Sequence, residues 1–385
     1  MKRALWMIVI LGLLLGLLPF GAEAVEMDIP AKSALLLDVA TGTVLYEQNA
    51  DTQLAPASVT KVMTLLLVME AIDDGRIRWE DMVTTSEAAA AKGGSQVFLK
   101  VGESMCVEEM VKSIAVSSAN DCACAMAEHL VGSETAFVEM MNAKAKALGM
   151  ENTHFVNCTG LDDSPEATNH KTTARDIALM SRELLKNHPE ITKYTTIWMD
   201  TIRNGAFGLS NTNKLVRFYN GATGLKTGFT REAGYCLSAS AKRENQEFIA
   251  VVMGCETSQE RFAACKSMLD YGFANYCVIT PEMKEPAQIP VKLGTADTVN
   301  AVPATQEAVL LEKSQQPLAA TQIELEETVT APVVKGQRLG TLYLKAGEQV
   351  LAEIPLVAEE AVAKLTWGQM FLRVLERLAM KGKQV

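Results

Sequence analysis

Pro56-Ala57-Ser58-Val59-Thr60-Lys61 sets a serine three residues ahead of a lysine, a spacing that no other serine in the chain has. On a helix, positions i and i+3 share a face, so the Lys61 amine reaches the Ser58 hydroxyl. A hydroxyl becomes a nucleophile when a base removes its proton, and a neutral amine is such a base. Reading outward, Pro56 opens a helix that continues through Leu65, Leu66, Val68 and Met69 to the breaker Asp74-Gly75. Upstream, Ser33 to Leu37 and Thr43 to Tyr46 flank the turn Ala40-Thr41-Gly42, which predicts a β-hairpin. Downstream, helical spacing runs from about Val107 to Leu148 and again from Ala174 to Leu185. Gly234 to Ala241 and Phe248 to Gly254 read as adjacent strands, and Gln259 to Phe273 returns to helix. Strands at both ends with helices between them predict one sheet assembled from distant segments, an α/β or α+β domain.

The chain has 385 residues, 48% of them hydrophobic, enough for about two domains. Its formal net charge of −10 argues against nucleic acid as a partner. Residues 1–24 have the layout of a secretory signal. Lys2 and Arg3 form the charged start, Leu5 to Leu18 is apolar, and Ala22-Glu23-Ala24 is a small-x-small cleavage site. The apolar run is short for a membrane span, so cleavage and a working place outside the cytoplasm are expected. Eight cysteines in an exported chain allow 105 disulfide connectivities, and their spacing selects none. No C-x-x-C pair occurs, so neither a zinc ribbon nor a thioredoxin-like motif is expected. No metal or cofactor is expected, and most of the thiols read as small buried residues.

Beyond Cys277 the composition changes. Pro281, Pro286, Pro290, Pro303, Pro317 and Pro332 punctuate Val/Thr-rich pieces, and the runs at 340–344 and 350–354 flank a turn. A small all-β domain is placed at 278–362. In the last segment, 363–385, Trp367, Met370, Phe371, Val374, Leu375 and Leu378 form an apolar stripe, with Arg373, Arg377, Lys381 and Lys383 among the other positions. An aromatic-aliphatic face among cations suits a helix lying on a membrane surface, and it is too short to span.

Two further motifs follow Ser58-x-x-Lys61. Ser118-Ala119-Asn120 stands at the start of a helix, and Lys226-Thr227-Gly228 stands just ahead of the strand at Gly234. Taken singly, each has an ordinary reading: Ser58 and Ser118 as helix N-caps, Lys226 to Gly228 as a turn. In this order they form the signature of penicillin-binding proteins and class A β-lactamases, with Ser-Ala-Asn replacing Ser-Asp-Asn. The chain thus resembles the low-molecular-mass penicillin-binding proteins, serine-type D-alanyl-D-alanine carboxypeptidases. The likeness extends to Gly94-Ser95-Gln96-Val97-Phe98-Leu99, Asn152-Thr153-His154-Phe155-x-Asn157, Thr159-Gly160-Leu161 and Thr173-Ala174-Arg175-Asp176, and to the order of segments.

The resemblance implies a β-lactamase/transpeptidase-like domain over 25–277, with a central antiparallel sheet and a helical region. It implies that Ser58 attacks the carbonyl between two D-alanines of a peptidoglycan pentapeptide, and that β-lactams acylate the same serine. Lys61 has to be neutral to serve as base, which burial and a second cation, Lys226, would favour. Ser118 relays a proton, Asn120 holds Lys61 and the substrate amide, and Lys226 and Thr227 grip the terminal carboxylate. Gly228 lets a peptide approach the strand. Arg231 and Arg261 are further candidates for the carboxylate. His129, His154, His170 and His188 lack a hydrolase context and read as structural. The implied place of work is the outer face of the cytoplasmic membrane. Two other readings stay open: a serine β-lactamase, with Glu166 activating water, and a catalytically silent wall-binding scaffold.

Overall fold

Side chains alternating between two buried faces determine where the sheet of this chain sits. The computed structural model describes residues 27–283 and 285–381, so the segment 1–24 and Lys383 lie outside it. Strands β1 (Ser33–Asp38), β2 (Val44–Gln48), β3 (Ala222–Thr230), β4 (Gly234–Arg243) and β5 (Gln246–Cys255) form an antiparallel sheet in the order β2-β1-β5-β4-β3. The N-terminal hairpin therefore joins the C-terminal strands through the β1–β5 pair, Ser33 opposite Met253 and Asp38 opposite Phe248. Both faces of β1 are buried. Leu35 and Leu37 enter the larger, helical core with Ile249, Val251 and Met253. Ala34 and Leu36 enter the second core with Phe248, Ala250 and Val252.

The helical core is built from α1 (Lys61–Asp73), α2 (Val107–Ser117), α3 (Asn120–Val131), α4 (Glu134–Ala147) and α5 (Ala174–Asn187). Helix α6 (Ser258–Asn275) covers the other face with Ala264, Cys265, Met268, Leu269 and Phe273. Its start is held by a Thr257–Glu260 capping box. Helix α1 is apolar nearly all round and is buried nearly all round, from Val62 to Met69. That centrality is why a lysine at its first position is also buried.

Two expectations need correction. The helix does not open at Pro56: Ala57–Thr60 is a 3-10 turn, and α1 begins at Lys61. Lys226-Thr227-Gly228 is no turn ahead of a strand but the middle of β3, the edge strand, paired only with β4 in this sheet. The glycines at 224 and 228 dilute the apolar alternation that marks its neighbours, so the strand is hidden from periodicity.

A separate core, with Ile289, Val299, Ala301, Leu339, Leu342, Ile354 and Leu356, organises the C-terminal module. Strands β6 (Ala287–Lys292), β7 (Thr298–Pro303), β8 (Ala319–Leu325), β9 (Val329–Thr330), β10 (Arg338–Ala346) and β11 (Gln349–Ala358) form a sheet in the order β8-β10-β11-β7-β6-β9. The β10–β11 hairpin contains the expected strand-turn-strand and extends past it at both ends. A two-stranded pair, Tyr276–Ile279 with Val309–Glu312, links the module to α6.

Helix α7 (Trp367–Lys381) closes the described chain. Met370 and Arg373 turn inward, and Arg373 donates to Gly294 O at 3.0 Å and pairs with Asp297 at 3.2 Å. Trp367 is 88% exposed, and Phe371, Val374 and Leu375 are exposed with it. The side chains of Arg377, Leu378 and Lys381 lie outside the described part. No helix among the described residues is long and apolar enough to cross a membrane. All eight cysteines are free thiols, and seven are buried.

Candidate active site

In a 3-10 turn, side chains three apart eclipse one another, more closely than on an α-helix. Ser58 sits on such a turn and Lys61 follows it as the first residue of α1, so the Lys61 amine donates to Ser58 Oγ at 2.9 Å. The turn is tightly braced. Ala57 takes a left-handed φ of 48°, and the Thr60 hydroxyl donates to Ala57 O at 2.8 Å while lying 2.8 Å from His170 Nε2. Two glycines let other segments close on its backbone. A Cβ on Gly160 would stand 1.8 Å from Ala57 O, and one on Gly228 would stand 2.6 Å from Pro56 O. Gly228 therefore serves the contact of β3 with the Ser58 turn, in place of the expected contact with substrate.

Lys61 donates a second hydrogen bond to Thr159 O at 2.7 Å. That carbonyl is set by Asn157, whose Oδ1 accepts from the amides of Thr159 and Gly160 at 3.2 and 2.7 Å. The lysine is wholly buried. Loss of water pulls its pKa down to about 7, against the opposing charges of Cys158 and Asp121. Lys226, also buried, is held well below the ordinary lysine range by burial first, then by Lys61 and Arg261. Two ammonium groups in one desolvated field cannot both be comfortable, and burial dominates at each.

Ser118 lies in the joint between α2 and α3 at a left-handed φ of 64°, and Asn120 starts α3. The Asn120 amide donates to Ser95 O at 2.7 Å, and its Nδ2 donates to Gly93 O at 2.7 Å. Next to it, buried Asp121 accepts from the amides of Val97 and Leu99, at 3.1 and 3.0 Å, pinning the loop that passes the site. Since the Asp121 charge also acts on Lys61, the start of α3 stands beside the amine. Ser118 Oγ and Asn120 Oδ1 are buried with no hydrogen-bond partner among the described residues. An unpaired buried polar atom costs about 1–3 kcal/mol, so two at one place mark a site that a ligand completes.

On β3, the Lys226 amine donates to Thr227 O at 3.0 Å, and the Thr227 hydroxyl donates to Thr212 Oγ1 at 2.7 Å. Arg261, on α6, donates to Gly228 O at 3.0 Å from behind the strand, so it braces β3 through the backbone. Arg231 is exposed. Of the histidines, His170 is built into the Ser58 turn, and burial lowers its pKa to about 3, leaving it neutral. Glu166 is exposed on the short turn Pro165–Asn169, and none of the hydrogen bonds around Ser58 and Lys61 involves it. Sequence reasoning missed Thr212 and Asp121 altogether, and it quoted Asn157 and Thr159 only as likeness. Polar residues whose partners lie far along the chain give no periodic signal.

A buried amine on a serine hydroxyl, two unpaired acceptors and a cation on an edge strand together suit acyl transfer from a peptide ending in a carboxylate. Comparison with known proteins agrees. A family model described as D-alanyl-D-alanine carboxypeptidase matches residues 21–257, and one described as the C-terminal domain of penicillin-binding protein 5 matches 280–364. The chain is 45% identical over 350 residues to D-alanyl-D-alanine carboxypeptidase DacF of Bacillus subtilis, covering 89% of each. It superposes with penicillin-binding protein 5 of Haemophilus influenzae at a TM-score of 0.77 and 31% identity, over 88% of this chain and 99% of that one. With penicillin-binding protein D2 of Listeria monocytogenes, in its ampicillin-bound form, the TM-score is 0.59 at 33% identity, over 64% of this chain and 99% of that one. Geometry and likeness converge, and the chain belongs to the D-alanyl-D-alanine carboxypeptidase family.

Proposed function

We propose that the protein removes the terminal D-alanine from peptidoglycan pentapeptide stems through an acyl-enzyme on Ser58. The observation that carries this reading is the Lys61 amine, 2.9 Å from Ser58 Oγ and drawn by burial to a pKa of about 7. Neutral Lys61 takes the Ser58 proton as Oγ attacks the carbonyl between the two D-alanines. The Ser58 amide donates to the oxyanion, with a second donor from β3 beyond Lys226. Ser118 passes the proton to the leaving D-alanine nitrogen, and the C–N bond breaks. Asn120 Oδ1 accepts from the substrate amide, and the charge of Lys226 holds the terminal carboxylate beside Thr227. Water then attacks the ester and frees Ser58. No metal or cofactor enters these steps.

The ampicillin-bound form of the Listeria relative supports β-lactams as covalent inhibitors of this chain at the same serine. The exposed Trp367, Phe371, Val374 and Leu375 on α7 support a peripheral seat on the outer face of the cytoplasmic membrane, and residues 1–24 would direct the chain there. Labelled penicillin followed by digestion and mass spectrometry should find the adduct on Ser58, and Ser58→Ala should lose both adduct and D-alanine release. The exposure of Glu166 disfavours a β-lactamase. Fast, repeated penicillin hydrolysis with no action on D-Ala-D-Ala peptides would reverse the assignment. An intact protein that releases no D-alanine would favour a silent scaffold.

A further inference from the structure

Thr227 does not stand alone on the sheet edge. Its hydroxyl donates to Thr212 Oγ1 at 2.7 Å, and Thr212 comes from outside the three motifs. The segment that carries Thr212 is locked on both sides. Buried Asn211 donates from Nδ2 to Thr195 O and Ile197 O at 3.2 and 2.7 Å, and its Oδ1 accepts from the Asn213 amide at 2.8 Å. Buried Asn213 donates to Gly224 O in β3 at 2.7 Å and accepts from the Leu215 amide at 3.1 Å. The Thr212 amide donates to Val116 O at 3.1 Å, in the last turn of α2, two residues before Ser118. Both asparagine side chains thus hold backbone. The threonine side chain between them instead meets a motif residue, on a segment tied to Ser118 at one end and to β3 at the other.

A hydroxyl has one proton to give and two lone pairs to receive. Thr227 gives its proton to Thr212, so toward a carboxylate it presents only lone pairs, which a carboxylate repels. Thr212 accepts on one lone pair and keeps its own proton, which goes to no acceptor among the described residues. It is half-buried on the edge beside β3, where buried Lys226 supplies positive charge. An ammonium attracts a carboxylate from any direction; a fixed hydroxyl adds orientation.

We propose that Thr212 is a substrate-binding residue whose hydroxyl donates to the terminal carboxylate, with Thr227 fixing its orientation. The proposal rests on the carboxypeptidase reading and assigns the donor within its carboxylate subsite. Thr212→Val keeps the shape and removes the proton; Thr212→Ser keeps the hydroxyl. Each variant is compared with the full wild-type chain on three reagents: a D-Ala-D-Ala peptide, benzylpenicillin, which also carries a carboxylate, and an acyl thioester that has none. Thr212→Val should raise KM for the peptide and lower the second-order acylation constant for penicillin, each by about tenfold. Its thioester turnover should stay within about twofold, since only the carboxylate contact is lost, and Thr212→Ser should restore all three. Equal losses on thioester and peptide would make Thr212 a mere brace and overturn the proposal. So would a valine variant that matches wild type on both carboxylate reagents, or a serine variant as weak as valine. If wild type releases no D-alanine, the carboxypeptidase reading fails while penicillin acylation still reports on Thr212, so the two failures are distinct.

Discussion

Lys61 owes its chemistry to its depth. Free in water its amine would be protonated at neutral pH, but burial lowers its pKa to about 7. The neutral fraction therefore grows as pH rises through that value, and the rate of Ser58 acylation by penicillin should climb with it and then level. A flat profile between pH 5 and 9 would remove Lys61 as the base. The same shift acts on stability. Unfolding returns the amine to its ordinary range near 10.4, so between about pH 7 and 10 the unfolded chain binds more protons than the folded one. Stability from this group thus rises with pH across that window, and its cost is full below about pH 7. Lys61→Met should be inactive yet more stable than wild type at pH 7, by about 2 kcal/mol or more, the gap closing toward pH 10. Denaturant titrations at the two pH values would show it, and a variant weaker at both would refute the reading.

Among the elements, the Ser58 turn depends on two glycines drawn from elsewhere in the chain. Gly160 has a left-handed φ of 78°, and any Cβ there meets Ala57 O at 1.8 Å. Gly160→Ala should cost about 2–3 kcal/mol, from backbone strain and forced displacement together. Penicillin acylation should fall further than stability alone explains, because the displaced atoms belong to the turn that carries Ser58. Thermal melts read beside acylation rates would separate the two, and acylation at the wild-type rate would show that the turn tolerates the shift. The helices were legible because α1, α2, α5 and α6 have long apolar faces or runs. β3 was not legible, since Gly224 and Gly228 interrupt it where the backbone must pass close to other atoms. The 3-10 turn was read as α-helix, because both bring i and i+3 together and sequence spacing cannot tell them apart.

For the whole molecule, the larger sheet joins the first strands after residue 27 to strands more than two hundred residues later, and the C-terminal module has a core of its own. Helix α7 leans on that module through Arg373 and leaves Trp367, Phe371, Val374 and Leu375 to solvent. Removing 367–385 should leave hydrolysis of a soluble peptide within about twofold, because the active site belongs to a different core, and should release the protein from membranes. Truncated protein that still sediments with membranes would assign the attachment elsewhere.

Chain order alone was enough for the family, the nucleophile and its base, and the division into a mixed α/β unit, a β module and a terminal helix. Those properties are written in local spacing: i to i+3 for Ser58 and Lys61, apolar periodicity for the helices, punctuation for the β module. How Lys61 becomes neutral, why Gly228 must be glycine and what Thr227 hydrogen-bonds were decided in three dimensions. Burial, steric closure and hydroxyl orientation are set by neighbours distant in the chain: Thr159 for Lys61, Pro56 for Gly228, Thr212 for Thr227. Ser58 and Lys61 are found by reading along the chain; that the pair can react follows from what folds around it.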